Sequence, residues 1–538
     1  MNKESDHLYT SLVKIISETN GLTLSSTLEL WKMVDDLDQE SKDQIISFSK
    51  LLDQFQINHA TIDQLFAHPV GCAFYKFFKN FPLKYREEHT HLTGALSADF
   101  VFPRLQKLLT GSKKEEYVKI IELVYGKDVG HIDSVEKVDK LMRLGDKDLF
   151  DRYLEILLLP KLILTSEEAH YESAYNMASE LYFKYNVGAI RLKFMLSRAT
   201  TNSKEDIPGS ENLTSEAVVK GLFAGFKKFQ KEQTDFQFIL SPSFRKEANF
   251  YDAKNFKTKQ EHFDFQVKEL LDLLEHNPDL QNHVTEVDTV GSERGLYRKE
   301  HFNEMRYGLR KLQTRGLKIR SHHGETWETL RFGIQSVDNA MNIWHVDAVE
   351  HGLSLGINPN FYFHRIYQKV IEQNKHKKKL DPKSQEYREV VALDWRDNKY
   401  ICDKLVKGEV LTKEEAVYFV KAKFHMAREL EHYQHDVLNR MIDKELSVIA
   451  LPSSNKRLTG QFQDYKEHPF SWWEKKGLKL GVGTDNYITL NTDYIREMLI
   501  LLFTDANQLK ITKLLMVCSG EKRRPYISQK LWNYRKNL

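Results

Sequence analysis

Four short stretches of the chain carry residues able to grip a divalent metal or move a proton. EEHTHL holds His89 and His91, SHHGE holds His322, His323 and Glu325, AVEHG holds His351, and GVGTDN holds Asp485 and Asn486. Imidazole and carboxylate are the groups that ligate first-row metals and exchange protons near neutral pH. Each stretch falls where a short apolar strand pattern runs out. Chemistry gathered from the ends of separate strands is the layout of a parallel barrel, whose working face is the C-terminal end of its strands.

Side chains alternate faces along a strand, so parity sorts these candidates. In YREEHTHL, residues Tyr85, Glu87, His89 and His91 share one face. In LKIRSHHGE, Leu317 and Ile319 share a face with His323, while Lys318, Arg320 and His322 share the other. In LKLGVGTD, Leu480, Val482 and Thr484 take the outer face, and Gly481, Gly483 and Asp485 the inner one. The expectation is one inward cluster of His89, His91, His322 and Asp485, a shell suited to Zn²⁺ with a position left for water. His323 is expected to face outer helices.

The elements that must position this cluster read as β/α repeats. Strand-like runs occur at 187–194, 236–240, 284–290, 316–322, 345–350, 447–452 and 478–484, besides the run into His89 and His91. Helix-period segments such as EAVVKGLFAGFKKFQKE separate most of them. Eight such units predict a closed (β/α)8 TIM barrel. Residues 1–80 read as a helical N-terminal extension, 81–351 and 447–510 as the barrel, and 511–538 as a C-terminal tail. One crossover stands out as too long. It makes 352–446 a mostly helical insertion between strands 6 and 7, at the barrel mouth. The run HKKKLDPK within it reads as a solvated loop, or more sharply as a basic lid over an anionic substrate.

The bulk numbers exclude little but are consistent. The chain has 538 residues, 29% of them charged, for a formal net charge of +3, which gives no case for a nucleic-acid partner. No stretch approaches the roughly 20 apolar residues needed to span a bilayer, and the start lacks a signal-peptide pattern. Cys72, Cys402 and Cys518 are widely spaced, which argues against a disulfide framework or a thiolate metal site. A cytoplasmic, reduced protein is expected. The N-terminal helices and the insertion offer surface for a homo-oligomer.

The motifs HTHLTGAL (89–96), EVDTVGSE (286–293), HHGE (322–325), EHG (350–352), LPSSNKRLTG (451–460), EHP (467–469), TDN (484–486) and LNTDYIREM (490–498) occur in that order. In this the chain resembles the adenosine and AMP deaminase family of zinc amidohydrolases, over roughly 81–510 without the insertion. The resemblance implies Zn²⁺ on His89, His91, His322 and Asp485. It implies that Glu325 gives a proton to purine N1, and that His351 orients and deprotonates the attacking water with help from Asp485. Gly291 would meet purine N3 through its backbone, and His91 would border the substrate. Asn486 stands where many members have an aspartate that contacts N7.

Two further departures concern charge. Thr93 replaces an aspartate that often contacts the sugar 5′-hydroxyl, and Arg191 and Lys193 stand where Glu and Arg are common. Together they suggest AMP or dAMP as substrate beside adenosine or deoxyadenosine. The alternative is that Thr93 is neutral and Arg191 pairs with a nearby acid. Two other readings stay open: an amidohydrolase acting on another heterocycle, and a deaminase-like scaffold that binds a nucleotide within an assembly without turnover. The cytidine-deaminase type lacks support, because its P-C-x-x-C ligand motif is absent.

Overall fold

Eight parallel strands follow one another around a barrel in the order of the sequence. They are β1 (Tyr85–His91), β2 (Val187–Met195), β3 (Gln237–Arg245), β4 (Glu286–Val290), β5 (Lys318–His323), β6 (Ala348–His351), β7 (Ser447–Ala450) and β8 (Lys479–Val482). Every one coincides with a run expected from the sequence. The computed structural model describes residues 3–19, 22–145, 150–196, 207–247, 250–461 and 464–536. The ring closes at its rim, where Thr90 bridges to Asp485 in parallel register. There the His91 N–H donates to the Asp485 carbonyl and the Asp485 N–H to the His89 carbonyl, both at 2.9 Å.

Strict alternation fails in β1. Tyr85 turns to the surrounding helices, where its ring lies 5.7 Å from that of Tyr494 and its hydroxyl donates to the Phe78 carbonyl at 2.8 Å. Glu87 likewise turns outward, accepting from the Tyr487 hydroxyl at 2.7 Å. Glu88 faces inward instead, against Arg191 and Arg320. The cause is a register slip against β2 between Glu87 and Thr90. An extra residue there lets Glu88 and His89 both point inside. The inward placement of His89 and His91 is as expected, but a bulge produces it.

The barrel interior is charged rather than filled by branched aliphatics, the usual filling. Glu88, Arg191, Glu286 and Arg320 form one interlocked group, and Lys193, Asp288 and Glu350 form the next toward the mouth.

Two connections are long. Besides 352–446, the link from β1 to β2 carries seven helices from Leu92–Ala95 to Glu167–Tyr185 among the described residues. The sequence reading did not single it out, because its helices have ordinary periodicity and no biased composition. The later connection holds Pro359–Lys375, Gln385–Ala392, Lys399–Lys407 and the 31-residue helix Lys413–Asp443. A Thr412/Glu415 capping box starts that last helix. The connection is tied down where the Glu389 carboxylate accepts from the Leu330 N–H and the Tyr362 hydroxyl, both at 2.7 Å. Lys377, Lys378 and Lys379 are exposed and border no part of the mouth cavity, so the solvated-loop reading of HKKKLDPK holds and the basic-lid reading does not.

The five helices between Lys3 and Lys79 share one continuous hydrophobic core with the barrel. The stretch expected as a C-terminal tail forms two packed helices, Ile511–Ser519 and Arg524–Lys536, which bury Cys518, Ile527 and Leu531. Phe77 is fully buried between these ends, its ring 6.3 Å from that of Tyr534. The three cysteines are free. Among the described residues no helix is long and apolar enough to cross a membrane. Phe77→Ala should destabilise the whole protein by about 3–5 kcal/mol, read as a lowered urea midpoint. An unchanged midpoint would show that the terminal helices unfold independently of the barrel.

Candidate metal centre and the cavity above it

Three imidazoles converge at the mouth of the barrel. The Nε2 atoms of His89 and His91 lie 3.2 Å apart, and those of His91 and His322 lie 3.3 Å apart. Asp485 Oδ1 stands 3.4 Å from His91 Nε2 and 3.7 Å from His89 Nε2. A tetrahedral ion with bonds of 2.0–2.1 Å sets its ligand atoms about 3.3 Å apart. The tautomers fit as well. His89 Nδ1 meets the Glu350 carboxylate at 2.7 Å and His322 Nδ1 meets Asp288 at 3.2 Å. Each Nδ1 therefore carries the proton and each Nε2 turns a lone pair inward. Converging lone pairs call for a cation between them, so the residues present could hold a metal ion.

Burial favours the neutral, ligating form of two of these rings. It holds His91 down at about 4, and with the charges of His89 and Lys193 it holds His322 well below the usual histidine value. For His89, burial is the largest influence and acts in the same direction, but Glu350 and Asp485 together outweigh it and leave the pKa raised. For Asp485, burial is opposed by His89 and His91, which hold the carboxyl far below its usual range. Its Oδ2 accepts from Ser454 Oγ at 2.5 Å.

Glu350 is the hub beneath the cluster. It accepts from His89 Nδ1 at 2.7 Å, from Lys193 Nζ at 3.0 Å and from Arg320 Nε at 2.5 Å, all fully or nearly buried. Lys193 also reaches Asp288 at 3.2 Å, so one ammonium joins the two carboxylates that orient His89 and His322. This corrects the expectation that Arg191 and Lys193 face substrate. Lys193 borders the cavity, but its charge is already matched twice. Arg191 does not border it; its guanidinium is held by Glu88 at 2.6 Å and by Glu286. A two-residue step along a strand is about 6.6 Å, which puts Arg191 one layer below Lys193.

On the other side of the cluster sit Glu325 and His351, with Glu325 Oε1 3.7 Å from His351 Nε2. Glu325 follows Gly324, whose φ is 71°. The Glu293 carboxylate locks this turn, accepting from the N–H groups of Gly324 at 2.9 Å, Glu325 at 2.6 Å and Thr326 at 2.7 Å. Burial pushes the Glu325 pKa up. His351 Nδ1 donates to Asn455 Oδ1 at 2.8 Å, and Asn455 Nδ2 in turn donates to His468 Nε2 at 3.2 Å. That leaves His351 Nε2 as a bare acceptor, buried and without a hydrogen-bond partner among the described residues. His351 and Asp485 have φ of 68° and 64°, the left-handed region that non-glycine residues enter only under constraint. At His351 this turn lets Glu350 and His351, adjacent in sequence, both face inside.

A cavity of about 600 Å³ stands over the cluster, bordered by His91, Thr93, Gly291, His322, Glu325, His351 and Asp485. Gly291 has φ 97°, a backbone conformation that strains any residue with a side chain, and a Cβ there would fall 2.2 Å from the Glu247 carboxylate. Asn486 is turned away from the cavity: its amide donates to the Tyr153 hydroxyl at 2.5 Å and to Asp485 Oδ1 at 2.6 Å. The expected contact of Asn486 with a purine N7 is therefore not what this geometry provides. His323 packs outside, its ring 5.7 Å from that of Phe302.

Sequence reasoning missed Glu350, Asp288, Asn455 and Glu293. All four lie inside the quoted motifs; Glu350 adjoins His351, and Asp288 and Glu293 flank Gly291, so nearness was a signal for these three, while Asn455 stands near no selected residue. Tyr153 carries no signal.

No family model matches the chain, and no curated protein matches it. Solved structures do. An adenine deaminase from Arthrobacter aurescens aligns with a TM-score of 0.48 at 12% identity, over 84% of this chain and 99% of that one. The N6-methyl-AMP deaminase from Arabidopsis thaliana, in its apo form, aligns at 0.47 and 12%, over 86% and 98%. Arabidopsis ADAL complexed with IMP aligns at 0.45 and 12%, over 85% and 96%. At 12% identity such a likeness says nothing of substrate, which the site's own residues must decide.

Glu350→Gln keeps the shape of the hub and removes its charge. Metal affinity should fall about 10–100-fold, measured by competition with a chromogenic chelator. Unchanged affinity would show that His89 needs no carboxylate behind it.

Proposed function

We propose that the chain is a zinc-dependent hydrolase that removes the exocyclic amino group of an adenine nucleoside, releasing ammonia and leaving a hypoxanthine base. The observation that carries this reading is the pairing of a bare imidazole nitrogen, His351 Nε2, with a buried carboxyl, Glu325, beside a three-histidine donor set. His89, His91, His322 and Asp485 would hold the ion. A bound Zn²⁺ supplies Lewis-acid activation of water, lowering its pKa to about 7.

The protein's own groups then divide the proton work. His351 Nε2 takes a proton from the attacking water, its ring held in the right tautomer by Asn455. Asp485, ionised and anchored by Ser454, holds that water against C6. Addition at C6 breaks the ring's aromaticity and loads electrons onto N1, where Glu325 delivers its proton. The C6–N bond then breaks as the amine takes up the proton held by His351, ammonia leaves, and the C6 hydroxyl returns its proton to Glu325 as the C6 carbonyl forms. One water is consumed, and no electrons change hands.

The choice of nucleoside over 5′-monophosphate follows from Arg191 and Lys193, whose charges are matched by four carboxylates between them. Thr93 removes a repulsive charge but adds no attractive one. A reduced, cytoplasmic setting suits the three free cysteines.

Glu325→Ala should retain one zinc per chain by elemental analysis and lose at least about 10²-fold in kcat. Unchanged turnover would remove Glu325 from the mechanism, and two metals per chain would favour a binuclear amidohydrolase. The acid form of Glu325 is the active one and its pKa is raised by burial, so activity persists above the ordinary carboxylate range and falls as pH rises through the raised value. A kcat/KM–pH profile of the wild type should show that alkaline limb. The same limb surviving in Glu325→Ala would assign it to another group.

A further inference from the structure

The cavity extends well beyond the space over the metal centre, and its outer wall has a distinct chemistry. Leu154, Leu157, Leu164, Phe194, Met195 and Leu213 supply that wall. The polar groups among them face elsewhere. His170 Nδ1 meets the Ser166 carbonyl at 2.8 Å, and burial lowers its pKa, so it stays neutral. Ser210 Oγ donates to the Ile207 carbonyl at 2.7 Å, and the Tyr153 hydroxyl is engaged by Asn486.

Two of the cations that border the cavity among the described residues are similarly committed. Lys193 is matched by Asp288 and Glu350. Arg245 is held by Glu247 through two nitrogens and lies over the Phe250 ring, 4.5 Å from its centroid. Lys161 also borders the cavity, beside Glu155, whose carboxylate is held by Arg152 at 2.9 Å. Among the described residues a phosphate placed here would find no cluster of uncompensated donors, whereas phosphate recognition usually relies on one.

Position says which part of a substrate meets this wall. Phe194 and Met195 end β2, and His351 ends β6, which lies across an eight-stranded ring from β2. In adenine the C6–N1 edge lies on the far side of the bicycle from N9, the atom that bears the sugar. With C6 and N1 held by His351 and Glu325, the sugar and its 5′ carbon are directed across the mouth, toward β2 and the apolar wall.

Resting on the reaction proposed above, we infer that the substrate is an adenine nucleoside whose 5′ position carries an uncharged, apolar substituent, such as an alkylthio group, in place of a hydroxyl or phosphate. The substituent buries carbon and sulfur against Leu154, Leu157, Phe194 and Met195. Against these four side chains a hydroxyl would lose its water without gaining a partner, and a phosphate would lose far more.

The test is ammonia release from adenosine, a 5′-alkylthio-5′-deoxyadenosine and AMP, with the full-length zinc-loaded protein at one pH. The alkylthio nucleoside should exceed adenosine in kcat/KM by about tenfold or more, the size of effect a buried methyl-sized group gives, and AMP should be poorest. Adenosine or AMP matching the alkylthio compound would overturn the inference while leaving the deamination intact. Release from none of the three would sink the reaction and the inference together. Met195→Lys puts a cation into the wall. It should move the AMP-to-alkylthio ratio toward AMP by about tenfold, and an unmoved ratio in the folded variant would also overturn the assignment.

Discussion

The site depends on one buried carboxylate. Glu350 sits at the centre of the barrel and binds a guanidinium, an ammonium and an imidazole at once. Burial pushes its pKa up, but Arg320, Lys193 and His89 together hold it well below the usual range, so it stays ionised. A charge so deeply placed is tolerable only because every partner is charged and well aligned; removing one partner of such a group typically costs about 3–5 kcal/mol. The same carboxylate fixes the ring and tautomer of His89. Through Lys193 and Asp288 the constraint reaches His322 as well. Two of the three imidazoles are thus oriented by one salt-bridge lattice that also fills the space where aliphatic side chains usually pack.

Most of the architecture was legible in the sequence because it follows from local periodicity. All eight strands lie where alternating or continuous apolar runs placed them, and the strand-end histidines meet at one mouth. What periodicity could not show is where periodicity breaks. The register slip at Glu87–Thr90 turns Tyr85 and Glu87 outward, and only cross-strand pairing reveals it. The left-handed turns at His351 and Asp485 are likewise invisible in residue type, since neither is glycine. Arg191 was misread for a related reason: parity gives the face of a strand but not the depth along the barrel, and depth decides whether a cation meets substrate or a carboxylate.

The second long connection shows a different limit. Helices between β1 and β2 have ordinary amphipathic patterns, and nothing in their composition says that Tyr153, Leu154 and Leu157 roof a cavity. Tyr153 nevertheless reaches the level of the donor set, since its hydroxyl holds Asn486, which holds Asp485. The roof and the donor set are joined by two hydrogen bonds, so the shape of the cavity and the placement of Asp485 are set together.

The seam where β1 meets β8 has a consequence for how the chain folds. The bridging residues, Thr90 and Asp485, are almost four hundred positions apart, and contacts between distant positions carry the largest loop-closure entropy and form slowly. All eight strands can form their seven pairings with sequence neighbours, across the crossovers between them, before that last contact is made. Its partners are the backbones of His89, His91 and Asp485. Completing the ring and assembling the donor set are therefore one event. An ion captured there would act as a clasp on the open ends of the sheet, slowing the reopening of the barrel.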